Sequence, residues 1–371
     1  MAENYKLKDF FDIPLVQRIA HDVQKVWKPF PVKDFVDQIA KTLPDLELKE
    51  RAGLIASHLY QCLPPAYPKA LDILVRSLQQ ADMEGSKSGM SGFYFMPHSL
   101  YVAGYGMDHF DLSMQALYEI TQRFTSEFAI RPFILSYPER TLQLLAQWAS
   151  DPNEHVRRLV SEGTRPRLPW AMRLPEFQKN PEPVLELLEM LRADPSEYVR
   201  RSVANNLNDI AKDHPQRVIE VCNRWMYEIG ETARALCSHA LRGLIKAGNP
   251  AALAALGVDH DVSAGAGILT CKTEVRKGDY LVFEVEVFSR EKEPASLVIE
   301  YVIHYLKANA KHSTKVFRLA KEEFGPLETK RYTRRKQFVD FTTRTHYPGT
   351  HFLEIQVNGK RYGKQAFEVV A

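Results

Sequence analysis

The sequence predicts a multidomain α plus β protein: an N-terminal all-α HEAT-like repeat solenoid followed by an antiparallel immunoglobulin-like β-sandwich. Up to about residue 255, apolar residues recur at helical spacing. Within that part DPNEHVRRLVSEG (151–163) returns as DPSEYVRRSVANN (194–206), a shift of 43 residues that suits a two-helix HEAT or armadillo unit. Beyond residue 267 the apolar period changes from 3.6 to 2.

The first hundred residues read as helices broken by proline. In PLVQRIAHDVQKVW (14–27) the apolar face is Leu15, Ile19, Val23 and Val26; in PVKDFVDQIAKTL (31–43) it is Val32, Phe35, Ile39 and Leu43. A third helix begins near Lys49 and ends at Pro64–Pro65. GSKSGMSGFYFMP (85–97) is glycine-rich, but no helix with a P-loop lysine follows, so it reads as a connector.

The repeats come next, with a weaker echo in ETARALCSHALRGLIKAG (231–248). Helix pairs of this kind cannot bury their apolar faces alone and stack into a curved solenoid. The Asp-Pro opening each unit fits an N-cap aspartate and a proline in the first turn. In each doublet the two arginines diverge by about 100° around the helix. Arg157 and Arg200 can tie back to acids of their own or a neighbouring repeat, which leaves Arg158 and Arg201 to face a partner.

Residues 256–267, LGVDHDVSAGAG, are small and flexible in character and read as a linker between domains 1–255 and 268–371. Strands follow at 279–288 and 296–306, and 351–370 holds two strands about an Asn-Gly hairpin turn. About seven strands fit an immunoglobulin-type sandwich. It has no inter-sheet disulfide, because Cys271 is its only cysteine.

Composition narrows the classes. Hydrophobic residues at 45% and charged ones at 26% indicate a globular protein. The net charge of +3 says little about partners, but KRYTRRK (330–336) places five basic residues in seven. The cysteines Cys62, Cys222, Cys237 and Cys271 lack metal-ligand spacing, and free thiols fit a reducing compartment. No apolar signal core opens the sequence and no run reaches the roughly 18 apolar residues of a membrane span. A cytoplasmic, monomeric protein without membrane, metal or cofactor is expected.

The chemistry concentrates between residues 126 and 170. Glu127 and Glu162 lie among Arg131, Arg157, Arg158, Arg165 and Arg167, with Trp148 and Trp170 nearby. Carboxylates within a basic, aromatic-edged surface suit a site that holds an anionic polymer and reacts with part of it. The purely structural alternative pairs Glu127 with Arg131 four residues on and Glu162 with Arg165 three residues on. A metal-dependent nuclease is disfavoured, because only the isolated His155 is on offer as a ligand.

Through TSEFAIRPF (125–133), DPNEHVRRLVSEGTRPRLPW (151–170) and DPSEYVRRSVANNLNDI (194–210) the chain resembles the AlkC family of DNA alkylation repair proteins, HEAT-like-repeat DNA glycosylases related to the AlkD group. The second domain resembles the Ig-like module of some members. The resemblance implies removal of bases such as 3-methyladenine and 3-methylcytosine from double-stranded DNA, without deep base flipping, by Glu127 and Glu162. An N3-alkylated base is cationic and leaves readily, so the developing oxocarbenium charge on the deoxyribose is what needs stabilising. A carboxylate about 4 Å away at an effective dielectric near 20 offers roughly 4 kcal/mol, or about a thousandfold in rate. The second carboxylate would orient or deprotonate water; the sequence does not assign the two tasks.

Arg158, Arg165, Arg167 and Arg201 are expected to hold DNA phosphates, with Arg131 behind them. Trp170 is expected on a deoxyribose or base edge, while Trp148 reads as core. Asn205, Asn206 and Asp209 would line the same surface, and Arg334 and Arg335 would grip DNA from the second domain. The rival function is a non-catalytic HEAT-repeat and Ig-like scaffold.

Overall fold

Helices account for the chain as far as Ala255 and strands for the part beyond Ser263, in a computed structural model that describes residues 6–79, 91–340 and 345–371. The helices begin with α1 (Ile13–Val26), α2 (Val32–Ala40), α3 (Leu48–Cys62) and α4 (Tyr67–Leu78). Their starts have local causes. Asp12 accepts from Leu15 N at 2.9 Å ahead of α1, and Glu47 and Glu50 form a capping box at α3. Pro64 and Pro65 stop α3, and Val16, Ile19, Ala20 and Val23 form the buried stripe of α1. The expected connector at 85–97 lies outside the described residues as far as 90. Beyond it a short 3-10 turn (Ser91–Phe95) leads into the next helix, with Tyr94, Phe95 and Met96 buried.

The helices continue as α5 (Met96–Tyr105), α6 (Phe110–Thr121), α7 (Ile130–Ser136), α8 (Pro138–Trp148), α9 (Glu154–Gly163), α10 (Pro175–Lys179), α11 (Glu182–Leu191) and α12 (Glu197–Ile210). Trp148 is buried, 5.7 Å from the Tyr118 ring, as expected of a core residue. Helices α9 and α12 are equivalent helices of the two copies of the 43-residue repeat and pack on one another. Their caps correct the reading of Asp-Pro: the N-caps are Asn153 and Ser196, two residues beyond the aspartates. Asp151 and Asp194 instead accept from Asn153 N and Ser196 N, each at 2.8 Å, and shape the turn before the helix.

The chain divides into two compact units, Met1–His214 and Pro215–Ala371. The second opens with α13 (Pro215–Ile229), α14 (Glu231–Ala240), α15 (Arg242–Lys246) and α16 (Pro250–Ala255). The break therefore precedes the shift in composition near 255. The cause is visible in Val298, which turns away from the sandwich core to pack with Leu253 and Val258. The stretch read as linker is partly strand, since pairing begins at Ala264 and Val262 is already in the core.

Among the described residues eight strands complete the second unit: β1 (Ala264–Cys271), β2 (Glu274–Arg276), β3 (Tyr280–Ser289), β4 (Ala295–Leu306), β5 (His312–Phe324), β6 (Thr329–Gln337), β7 (Gly349–Val357) and β8 (Lys360–Val370). They form a three-stranded sheet, β1-β3-β6, and a five-stranded sheet, β2-β8-β7-β4-β5. Pairing is antiparallel apart from the short β2–β8 contact. Leu281, Phe283, Val285 and Val287 face the core from β3, as the alternation predicts. Asn358 and Gly359 make the β7–β8 turn with φ of 44° and 87°, the left-handed values an Asn-Gly hairpin needs.

Candidate active site

The repeat sets the site by sending neighbouring arginines in different directions. Arg157 reaches the next unit, donating from Nε and Nη2 to Asp194 at 2.6 and 3.0 Å, and returns Nη1 to the carbonyl of Asp151. Arg200 likewise bonds the carbonyls of Asp194 and Pro195 in its own unit. Arg158, one residue on and about 100° further round the helix, meets both glutamates. Its Nη1 donates to Glu127 Oε2 at 2.8 Å, and its Nη2 lies 3.5 Å from Glu162 Oε1.

The two carboxylates thus share one guanidinium and line one cavity of about 270 Å³. Their surroundings differ. Glu162 is buried on α9; Arg165 Nη1 donates to its Oε1 at 2.7 Å and Ser202 Oγ to its Oε2 at 2.6 Å. Glu127, in the turn before α7, takes Arg158 and the Thr125 hydroxyl (3.0 Å) on Oε2 alone. Among the described residues its Oε1 has no hydrogen-bond partner. Phe93, Met96, Phe124, Phe128 and Leu168 supply apolar wall, and Trp170 lies at the edge with 65% of its surface exposed.

Electrostatics hold the arrangement. Burial works against the charges of Arg158 and Arg165, yet the carboxylates beside them prevail and raise both guanidiniums above their ordinary value. Arg165 also donates to Asp209, whose other oxygen accepts from Lys212. Arg158 lies 4.9 Å from the Tyr198 ring, a cation–π contact on its outer face.

Trp170 has φ of 64°, a conformation that costs a bulky residue strain. Local bonds fix it: Lys49 Nζ donates to its carbonyl at 2.5 Å, and Gln178 holds Pro166 at the base of the loop.

Several expected DNA contacts are corrected. Arg131 is fully buried and spends its guanidinium on the carbonyls of Gly163, Arg165 and Met172; burial, then repulsion from Arg165, pushes its pKa down to about 10. It makes no pair with Glu127. Asn206 is buried too, donating to Ser161 O and Thr164 Oγ1, and Asp209 is enclosed by its cations. Arg158 and Arg165 point inward at carboxylates rather than outward at phosphate. Arg167 makes a two-pronged pair with Asp213 at the surface, Asn205 is half-buried, and Arg201 is exposed on α12. In the second unit Arg334 and Arg335 are exposed on β6, Arg334 donating to Leu319 O and Arg335 lying over the Tyr280 ring.

The sequence reading missed Lys49, Thr125, Tyr198, Ser202 and the phenylalanine wall. Thr125 stands two residues before Glu127, close enough in sequence to have been considered; Lys49 is 121 residues from Trp170 and gave no signal.

Residues 124–242 match the family model described as DNA alkylation repair enzyme. Residues 266–371 match that of the C-terminal Ig-like domain of the uncharacterised protein YhaZ. The chain is 39% identical over 365 residues to YhaZ of Bacillus subtilis (strain 168), covering 98% of this chain and 99% of that relative. Its structure aligns at a TM-score of 0.90 and 36% identity with the alkylpurine DNA glycosylase AlkC of Pseudomonas fluorescens, solved bound to DNA containing an abasic site analog, covering 99% and 100% of the two chains. The chain belongs to the AlkC family. The first matched segment of this AlkC family member takes in Glu127, Arg158, Glu162 and Trp170. Lys49, Phe93 and Met96 come from helices and turns before it, so the cavity is completed by a part of the chain that this match leaves out.

Proposed function

We propose that the chain is a DNA glycosylase that hydrolyses the N-glycosidic bond of cationic N-alkylated bases, 3-methyladenine and 3-methylcytosine among them, in double-stranded DNA. The observation that carries this reading is the placement of Glu127 and Glu162 in one cavity with a single arginine between them. The DNA-bound Pseudomonas fluorescens relative supports it.

The two glutamates take different tasks. Glu162 has both oxygens occupied, so it is a fixed negative charge facing the sugar as the bond to the base stretches. Glu127 keeps Oε1 open and receives the proton of the attacking water. Water oxygen bonds to C1′ while the glycosidic electron pair departs with the base and cancels its positive charge. The products are a neutral free base and an abasic deoxyribose. Arg158 holds both acids in register.

Arg201 and Arg167 face outward from the repeats and would hold phosphates, with Trp170 against the sugar edge. Arg334 and Arg335 would grip DNA from the Ig-like domain, in a protein acting as a monomer in the cytoplasm. At about 270 Å³ the cavity lies near the lower end of the roughly 300–1,000 Å³ typical of small-molecule pockets, and it is open to solvent. Excision without deep flipping is part of the same proposal. The test is release of free base from DNA containing 3-methyladenine. Wild type should release it; no release from any alkylated DNA returns the chain to a scaffold role.

A further inference from the structure

Two residues at the edge of the site go against local preference, and they are bonded to each other. Lys49 stands in the first turn of α3, between the capping residues Glu47 and Glu50, where a helix end favours acids over cations. Trp170 has a left-handed backbone, φ of 64°, which a bulky side chain adopts only under constraint. Lys49 Nζ donates to the Trp170 carbonyl at 2.5 Å, across 121 residues of sequence. The same ammonium lies 5.4 Å from the ring centroid of Phe128, the neighbour of Glu127. Glu127 and Glu162 line the same cavity, yet their bonded cations are Arg158 and Arg165, and Lys49 makes no ion pair among the described residues. One ammonium therefore ties the turn that carries Glu127 to the loop that carries Trp170. Conflicts with local preference of this kind persist where function needs them.

We propose that Lys49 is a positioning residue for base excision: by holding the Trp170 carbonyl it sets the indole against the sugar edge beside Glu127. The inference rests on the glycosylase reading. It adds to that reading a working residue from the N-terminal helices, outside the matched segment 124–242. Without the bond from Nζ the Trp170 backbone relaxes towards the ordinary negative-φ regions, and the indole moves with it. Lys49 itself touches neither base nor sugar, so its loss costs what loss of the indole costs and no more.

The test is a double-mutant cycle on the full chain. Lys49→Met keeps a long stem and removes the donor, and Lys49→Arg restores one. Base release from DNA containing 3-methyladenine should slow about tenfold in Lys49→Met and recover to within about threefold of wild type in Lys49→Arg. In the Trp170→Ala background Lys49→Met should change the rate by less than about twofold, because the indole through which it acts is gone. Fluorotryptophan labelling gives a second readout by fluorine NMR. Of the four tryptophan signals, only that of Trp170, assigned by its loss in Trp170→Phe, should shift or broaden in Lys49→Met. The slope of DNA affinity against salt should stay as in wild type, since no phosphate contact is removed. An unchanged rate in Lys49→Met, rate losses that multiply in the double variant, or a Trp170 signal that does not respond overturns the proposal. So does movement of all four signals, which makes Lys49 a general support of the fold, or a salt slope lower by about one, which makes it a phosphate contact. Any of these with normal release by wild type leaves the glycosylase reading standing, whereas wild type that releases no base from any alkylated DNA sinks that reading itself.

Discussion

Arg157 and Asp194 belong to successive repeats and are joined by two hydrogen bonds of 2.6 and 3.0 Å, with both side chains largely buried. This pair gives the first arginine of the α9 doublet its task. It stitches repeat to repeat, and the helix geometry turns the second arginine about 100° away, where Arg158 finds the glutamates. Asp194→Ala removes the acceptor and takes from Arg157 the carboxylate it is bonded to, leaving only the more distant Glu154 and Asp151. Unfolding in urea should show a loss of about 3 kcal/mol, while base release below the transition stays within twofold of wild type. A matching loss of activity at full folding would assign Asp194 to the site instead.

Glu127→Gln and Glu162→Gln should separate. Glu127 makes its protein contacts through one oxygen, so its amide variant should fold as wild type and release base about a thousandfold more slowly, as expected for lost electrostatic and water-handling work. Glu162→Gln sets an amide among Arg158, Arg165 and Ser202, so the same rate defect should come with a melting temperature lower by several degrees. Thermal melts beside single-turnover rates check both. Equal stability of the two variants would contradict the fixed-charge role given to Glu162.

Much of this was legible in the sequence because it is periodic. The repeat, the strand alternation and the Asn-Gly turn are local patterns, and the structure places them where the spacing does. The site was half legible. Glu127 and Glu162 stood out as acids among cations, but the sequence could not tell a guanidinium that faces solvent from one that caps carbonyls. Arg131 illustrates this: three carbonyl partners from residues 163, 165 and 172 exist only once α7 and α9 are packed. That packing also needs Gly163, since a Cβ there would meet Ile130 Cγ2 at 2.7 Å. The division by packing, after His214, was not legible for a similar reason, because composition marks where strands begin and not which core a helix joins.

Arg131→Met should therefore behave as a structural variant. Three buried carbonyls lose their donor, at a cost of about 3 kcal/mol. The slope of DNA affinity against salt should stay as in wild type, because no phosphate contact is lost. A slope reduced by about one would return Arg131 to the DNA surface.

Trp170 holds a left-handed backbone that favours glycine. Trp170→Gly relieves strain worth about 1 kcal/mol, which offsets the loss of a side chain that is mostly exposed. Stability should stay within about 1 kcal/mol of wild type, with DNA affinity or turnover down about tenfold. Trp170→Ala keeps the strain and loses the indole, so it should match the glycine variant in DNA assays and be the less stable of the two. Unchanged DNA assays in both would make Trp170 a loop anchor only.

His98 makes acid stability a test of the N-terminal helices. It is fully buried on α5, stacked on Tyr94, with Nδ1 at 3.2 Å from Tyr94 O and Nε2 without a partner among the described residues. Asp22 accepts from the Tyr94 hydroxyl at 3.0 Å, and Arg18 lies over the Tyr94 ring. Burial pushes the imidazole down to about 4 from an ordinary 6.5, against a smaller opposing pull from its bond to Tyr94 and from Asp22. Between those values the unfolded chain binds a proton that the fold refuses. The stability is fully present above pH 6.5 and is lost as pH falls towards 4, about 3 kcal/mol in all and about 2 kcal/mol by pH 5. His98→Phe keeps a ring in the cavity and cannot take the proton. Urea unfolding at pH 7 and pH 5 should show wild type losing about 2 kcal/mol more than the variant; parallel losses would mean that His98 is not the group being titrated.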